Sequence, residues 1–139
     1  MTFYHQEISR IGSICYSNER QLDIVIGVRN FIANNLDGEL KLELLAHISF
    51  ISKFHLLRLF RKYYGQTPQQ HLTDKRIEKS KEHLKRGMKI TETCFAVGFE
   101  CPCSFSTLFK SRTGLTPTEF QKEQLSQSRL HLDFENLGH

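Results

Sequence analysis

Apolar residues recur at helical spacing along most of the chain, and the places where the spacing fails divide it into a series of helices. In residues 22–36, LDIVIGVRNFIANNL, the positions Leu22, Val25, Ile26, Phe31, Ile32 and Leu36 lie close to the helical repeat until Asp37-Gly38 stops it. A short helix is expected at about 40–47, LKLELLAH, before a break bracketed by Ser49 and Ser52. Ser52 suits an N-cap and Gly65 a C-cap, which predicts a helix over about 52–64. Thr67-Pro68 opens a longer helix that runs up to Gly87, with Leu72, Ile77 and Leu84 inward and Lys75, Lys79, Lys81 and Lys85 mostly outward. Further helices are expected at about 90–97, at 101–112 and from Thr116-Pro117 through about Leu125. Residues 1–20 and 126–139 hold no sustained period and are expected to be loosely ordered and flexible, respectively.

The chain contains an internal repeat. Residues 50–68, FISKFHLLRLFRKYYGQTP, align without a gap on residues 99–117, FECPCSFSTLFKSRTGLTP, with six of nineteen positions identical. These are Phe50/Phe99, Leu59/Leu108, Phe60/Phe109, Gly65/Gly114, Thr67/Thr116 and Pro68/Pro117. Chance gives about one identity over such a length, so the same unit occurs twice. Each copy is a short helix, a tight turn and a longer helix ending at Gly, the pattern of a helix-turn-helix. The expected fold is all-α: one helix-turn-helix unit over 21–66, a linker helix over 67–87 and a second unit over 88–125.

Charge adds direction to this picture. The whole chain carries +4, but residues 41–112 hold 14 Lys and Arg against 6 Asp and Glu, a local excess of +8. Concentrated positive charge suits a polyanionic partner, although a solvated helix surface has the same composition. The chain has no apolar run of membrane-spanning length and no secretory pattern at its N-terminus, so a cytoplasmic location with reduced thiols and no membrane partner is expected.

With the repeat, the linker DKRIEKSKEHL and the segment GFECPCSFSTLFKSRTGLTPTEF in place, residues 22–121 resemble the DNA-binding domain of AraC/XylS-type transcription regulators. The resemblance rests on Gly98-Phe99, Phe105, Phe109, Gly114, Thr116-Pro117 and Phe120. It implies two homeodomain-like three-helix units that place recognition helices, about 52–64 and 101–112, in adjacent major-groove segments of promoter DNA about 34–36 Å apart. It also implies binding as a monomer and, more often than not in the family, activation through RNA polymerase. About twenty residues precede the first predicted helix, too few for a separate sensor domain.

In the first recognition helix Leu56, Leu59, Phe60 and Tyr63 form an inward stripe, which leaves Lys53, Phe54, Leu57, Arg58 and Arg61 opposite. Arg58 is the candidate for a bidentate guanine contact, and Phe54 and Leu57 for thymine methyls, with a solvated arginine and extra core contacts as the alternatives. The family's base-reading positions fall on the same three residues. In the second recognition helix Phe105, Leu108 and Phe109 point inward and Pro102, Cys103, Ser106 and Thr107 form the base-reading face. That face is short and nearly neutral, which favours reading of DNA shape. Lys53, Arg61, Lys62, Ser104, Lys110 and Arg112 are the expected phosphate partners.

The residue types also bear on metal, thiol and catalytic chemistry. Cys94, Cys101 and Cys103 fall short of the four ligands of structural zinc, and Cys101 and Cys103 diverge on a helix, so no metal or cofactor is expected. Cys94 is expected to be buried, and a thiol-based redox response through Cys103, at a helix start, stands as an alternative to plain DNA reading. No spacing assembles a nucleophile, base and orienting carboxylate, and no phosphate-binding glycine loop occurs, so no enzyme activity is expected. The competing functional reading is a protein-interaction adaptor with mainly non-specific DNA affinity.

Overall fold

Three helices of this chain begin where a Ser or Thr side chain satisfies one of the first free N–H groups, and two end where a glycine adopts the left-handed conformation. The computed structural model describes residues 3–137, with side chains described for 18–130. Among the described residues seven helices follow in order: α1 (Phe3–Asn34), α2 (Leu42–Ile48), α3 (Lys53–Tyr64), α4 (Pro68–Lys85), α5 (Ile90–Ala96), α6 (Pro102–Thr113) and α7 (Pro117–Leu137). Among the described residues there is no strand.

The caps explain these boundaries. The Ser52 hydroxyl accepts from His55 N–H at 3.1 Å, and α3 closes at Gly65 with φ 71°. Helix α6 closes the same way at Gly114, φ 84°. The two Thr-Pro sequences each form a capping box. Thr67 Oγ1 accepts from Gln70 N–H while Gln70 Oε1 accepts from Thr67 N–H, at 3.1 and 2.9 Å. Thr116 and Glu119 repeat this reciprocal pair at 3.1 and 3.3 Å.

Helix α1 starts at Phe3 and α7 continues to Leu137, so helix extends over the N-terminal stretch and C-terminal tail in which loose chain was expected. No proline interrupts either flank. Adding a residue to a helix already anchored by packing costs far less than starting one, so propagation needs no apolar period of its own.

The chain forms two compact units, one from the chain up to Asn35 with Leu40–His71, the other from Leu36–Glu39 with Leu72 onward. The first buries Val25, Val28 and Ile32 of α1, Leu45 and Ala46 of α2, and Leu56, Leu59 and Phe60 of α3. Val28 completes this face, whereas Leu22, expected on it, is exposed. The second unit packs Ile77, Leu84, Cys94, Phe105, Phe109 and Phe120 together, with Phe99 and Leu108 against them. Ring centroids run Phe99–Phe105–Phe109–Phe120 at 5.2, 5.8 and 5.4 Å, distances at which tilted and edge-on aromatic pairs attract. Leu72, Ile77 and Leu84 are buried as their spacing predicts, and so is Cys94.

The turns of the two units are not superimposable residue for residue. At the end of α2, Phe50 N–H donates to His47 O and Ile51 N–H to Ala46 O, both at 3.2 Å. At the end of α5 the same pair is Gly98 to Phe95 and Phe99 to Cys94, at 3.2 and 3.0 Å. Phe50 is therefore the counterpart of Gly98, and Ile51 of Phe99. The second turn has one residue more, between Phe99 and the cap of α6, so the gapless alignment holds from Ser52/Cys101 onward and the Phe50/Phe99 identity does not mark equivalent positions.

Candidate nucleic-acid interface

Helix α3 carries the three expected base-reading residues Phe54, Leu57 and Arg58, with Arg61, an expected phosphate partner, on the same stripe. Residues 54, 57, 58 and 61 lie at i, i+3, i+4 and i+7, one stripe of a helix. Phe54 is 68 % exposed, and Arg58 and Arg61 are exposed, while Leu57 is half-buried at the edge of the core. Phe54 and Leu57 thus put apolar groups beside two guanidinium groups on one helix face. Arg58 Nη2 lies 3.5 Å from His55 Nδ1, at the limit of hydrogen bonding, so the guanidinium is lightly held and able to extend.

The flanking cations are partly engaged. Lys53 Nζ sits 3.8 Å from Glu43 Oε1 and 5.3 Å from the Phe54 ring centroid. Lys62 Nζ donates to Gln21 Oε1 of α1 at 3.3 Å and lies 5.4 Å from the Tyr63 ring. Tyr63 donates its hydroxyl proton to the same Gln21 oxygen, at 3.3 Å. Exposed pairs of this kind are weak and give way readily to a phosphate.

The second unit repeats the stripe 49 positions later, at Cys103, Ser106, Thr107 and Lys110 of α6. Cys103, Thr107 and Lys110 are exposed, and Pro102 and Ser106 are half-buried. Thr107 donates its hydroxyl proton to Cys103 O at 3.0 Å, so its methyl group and its oxygen lone pairs are what this residue offers a base. Ser104 is exposed in the first turn of α6. Arg112 Nη1, grouped with the phosphate partners from its sequence position, is bound to Asp74 Oδ1 of α4 at 2.8 Å.

At the start of α6 the cysteine that stands out is Cys101, the cap residue. Its side chain closes no cap hydrogen bond of ordinary length. The N–H groups of Ser104 and Cys103 nonetheless face its exposed sulfur and hold the thiol below its usual range. Burial pushes Cys94 the other way, and its thiol donates to Phe99 O at 3.8 Å. Among the described residues no group of three or more His, Cys, Asp or Glu is placed to hold a metal ion, and no helix is long and apolar enough to cross a membrane.

Gln21, Glu43 and Asp74, which engage the basic residues, carry no signal in the sequence pattern, because each reaches its partner through tertiary packing. Cys101 has one: it occupies the position of Ser52 in the repeat.

A family profile described as a helix-turn-helix domain matches residues 45–123. The chain is 29 % identical over 112 residues to the HTH-type transcriptional activator AarP of Providencia stuartii, covering 78 % of this chain and 83 % of that protein. It is 33 % identical over 96 residues to the bifunctional transcriptional activator/DNA repair enzyme AdaA of Bacillus subtilis, covering 68 % of this chain and 46 % of that protein. It thus spans only about half the length of several curated relatives. Among solved structures, the C-terminal domain of AraT, a response regulator from Geobacillus stearothermophilus, matches with a TM-score of 0.70 at 29 % identity, over 72 % of this chain and 84 % of that one. With the profile covering more than half of its residues, the chain belongs to the AraC-type helix-turn-helix family of DNA-binding transcription regulators.

Proposed function

We propose that this chain regulates transcription by reading promoter DNA with α3 and α6 in the major groove. The observation that carries the proposal is the stripe of exposed Phe54, Arg58 and Arg61 with half-buried Leu57, in which apolar and guanidinium groups stand together on one helix face. Arg58 bonds a guanine edge, Phe54 and Leu57 meet thymine methyls, and Lys53, Arg61, Lys62, Ser104 and Lys110 hold phosphates. Pro102, Cys103, Ser106 and Thr107 form the shorter face of α6, which follows groove shape more than base identity. Arg112 joins the phosphate contacts only on leaving Asp74.

The chain acts as a monomer in the cytoplasm, without cofactor or catalytic activity. Activation is supported by the likeness to AarP, which is named a transcriptional activator and is matched over most of its length, and contact with RNA polymerase is the route we propose for it.

Selection of bound sites from random DNA, followed by anisotropy titrations over a range of salt, tests the proposal. A defined asymmetric site with steeply salt-dependent affinity is the expected result. A shallow salt slope with no preference over random DNA overturns it in favour of a protein-interaction adaptor.

A further inference from the structure

Phe50 is the one residue other than glycine with positive φ among the described residues, at 57°, and it is 89 % exposed. Its counterpart in the second unit, by the hydrogen bonds that end α2 and α5, is Gly98. Glycine suits that position twice over: the left-handed conformation is free to it, and a Cβ at Gly98 would meet Leu36 O at 2.6 Å. In the first turn an aromatic residue stands instead. It holds a left-handed backbone that is strained for a bulky residue, and among the described residues its ring is left in water rather than packed. Strained backbone that persists without structural return points to use in a complex.

The place of the residue indicates which complex. Phe50 precedes the α3 cap Ser52 by two positions and the exposed Phe54 by four. A recognition helix enters the groove by its N-terminal end, so the chain just before the cap passes the groove's edge. Resting on the DNA-reading role proposed above, we infer that Phe50 is a further specificity-determining residue, packing its ring against deoxyribose and thymine methyl groups beside the bases met by Phe54. Its contribution is apolar and therefore independent of salt.

The test is Phe50→Gly in the full chain, measured for thermal unfolding and for anisotropy-monitored binding to the site selected by the wild type. The expected outcome is opposite movement of the two properties. The unfolding midpoint rises by several degrees as the left-handed turn gains its preferred residue. Affinity for the selected site falls about tenfold with an unchanged salt slope, as for loss of one apolar base-edge contact. Phe50→Tyr, which keeps the ring, retains wild-type affinity. Unaltered affinity in Phe50→Gly overturns the inference, as does a lower unfolding midpoint. Unaltered DNA binding with lost activation in a reconstituted polymerase assay overturns it too, and assigns the ring to a protein contact. If the wild type itself selects no site, the DNA-reading role fails, and this inference with it.

Discussion

Arg76 binds the carbonyl oxygens of Leu36 and Gly38 with two nitrogens of one guanidinium, Nε at 2.8 Å and Nη2 at 2.7 Å. The same group lies 5.7 Å from the Phe99 ring centroid and near Asp37 and Glu100, while its partial burial lowers its pKa. The second unit thus holds segment 36–39 through a planar, forked donor. Lysine cannot reproduce two directed bonds and a stacked plane from one ammonium. Arg76→Lys is expected to destabilise the second unit by about 1.5–3 kcal/mol, the cost of a hydrogen bond to a charged group. Urea unfolding measures it, and a change below about 0.5 kcal/mol would show that a single bond suffices.

Gly98 adjoins this cluster. A Cβ there meets Leu36 O at 2.6 Å and Asp37 Cα at 3.0 Å, both backbone atoms, with φ at 95°. Gly114 has a similar φ of 84° but open space around it. Gly114→Ala is expected to cost about 1–2 kcal/mol from backbone conformation alone. Gly98→Ala adds overpacking and should cost about 3 kcal/mol or more. Equal losses in paired thermal melts would mean that the segment moves aside freely.

What is legible in the sequence here follows the range of the interaction. Ser52, Gly65, Thr67 and Thr116 announce helix ends because a cap involves residues three or four apart, and the two recognition helices lie where those signals place them. The inward stripe of α3, Leu56, Leu59 and Phe60, is equally legible, since it has a period. The first turn is not: Phe50 and Phe99 share a residue type by coincidence of register, and only the hydrogen bonds ending α2 and α5 reveal the shift. The pairing of Arg112 with Asp74 is likewise hidden, because the two residues are distant in sequence and meet through packing of α4 and α6.

That ion pair restrains a cation of α6, the helix proposed above to enter the groove. Both side chains are more than a third exposed, 38 % for Arg112 and 36 % for Asp74, so solvent screens the pair. Asp74→Asn should cost less than about 1 kcal/mol of stability. It should raise DNA affinity and steepen the log–log salt slope by about one, the mark of one added phosphate contact. An unchanged slope would place Arg112 outside the interface.

Cys101 titrates below the 9.0 of a free thiol because the amide N–H groups of Ser104 and Cys103 face its sulfur. A group whose folded pKa is depressed adds stability that is complete above its unfolded pKa and is lost as pH falls through the folded value. Stability should therefore rise with pH through the window that ends near 9.0, and Cys101→Ser should remove this rise. Alkylation followed by peptide mapping should find Cys101 reacting at lower pH than Cys94, whose burial pushes its thiol up. The reverse order would mean that the α6 amides do not stabilise a thiolate.

Arg58 and Arg61 lie on the same face of α3, one turn apart, and differ in the role proposed for each. A guanidinium on a guanine edge loses its partner when that base pair changes, whereas one on a phosphate meets the same group at every sequence. Arg58→Ala should cost about 1–3 kcal/mol at the selected site and relax discrimination at one base pair, with little effect on random DNA. Arg61→Ala should weaken binding to selected and random DNA alike and reduce the salt slope by about one. Binding profiles over all single-base variants of the site separate the two patterns. If Arg58→Ala lowers every variant equally, its guanidinium holds a phosphate, and specificity in the first unit rests on the apolar contacts of Phe54 and Leu57.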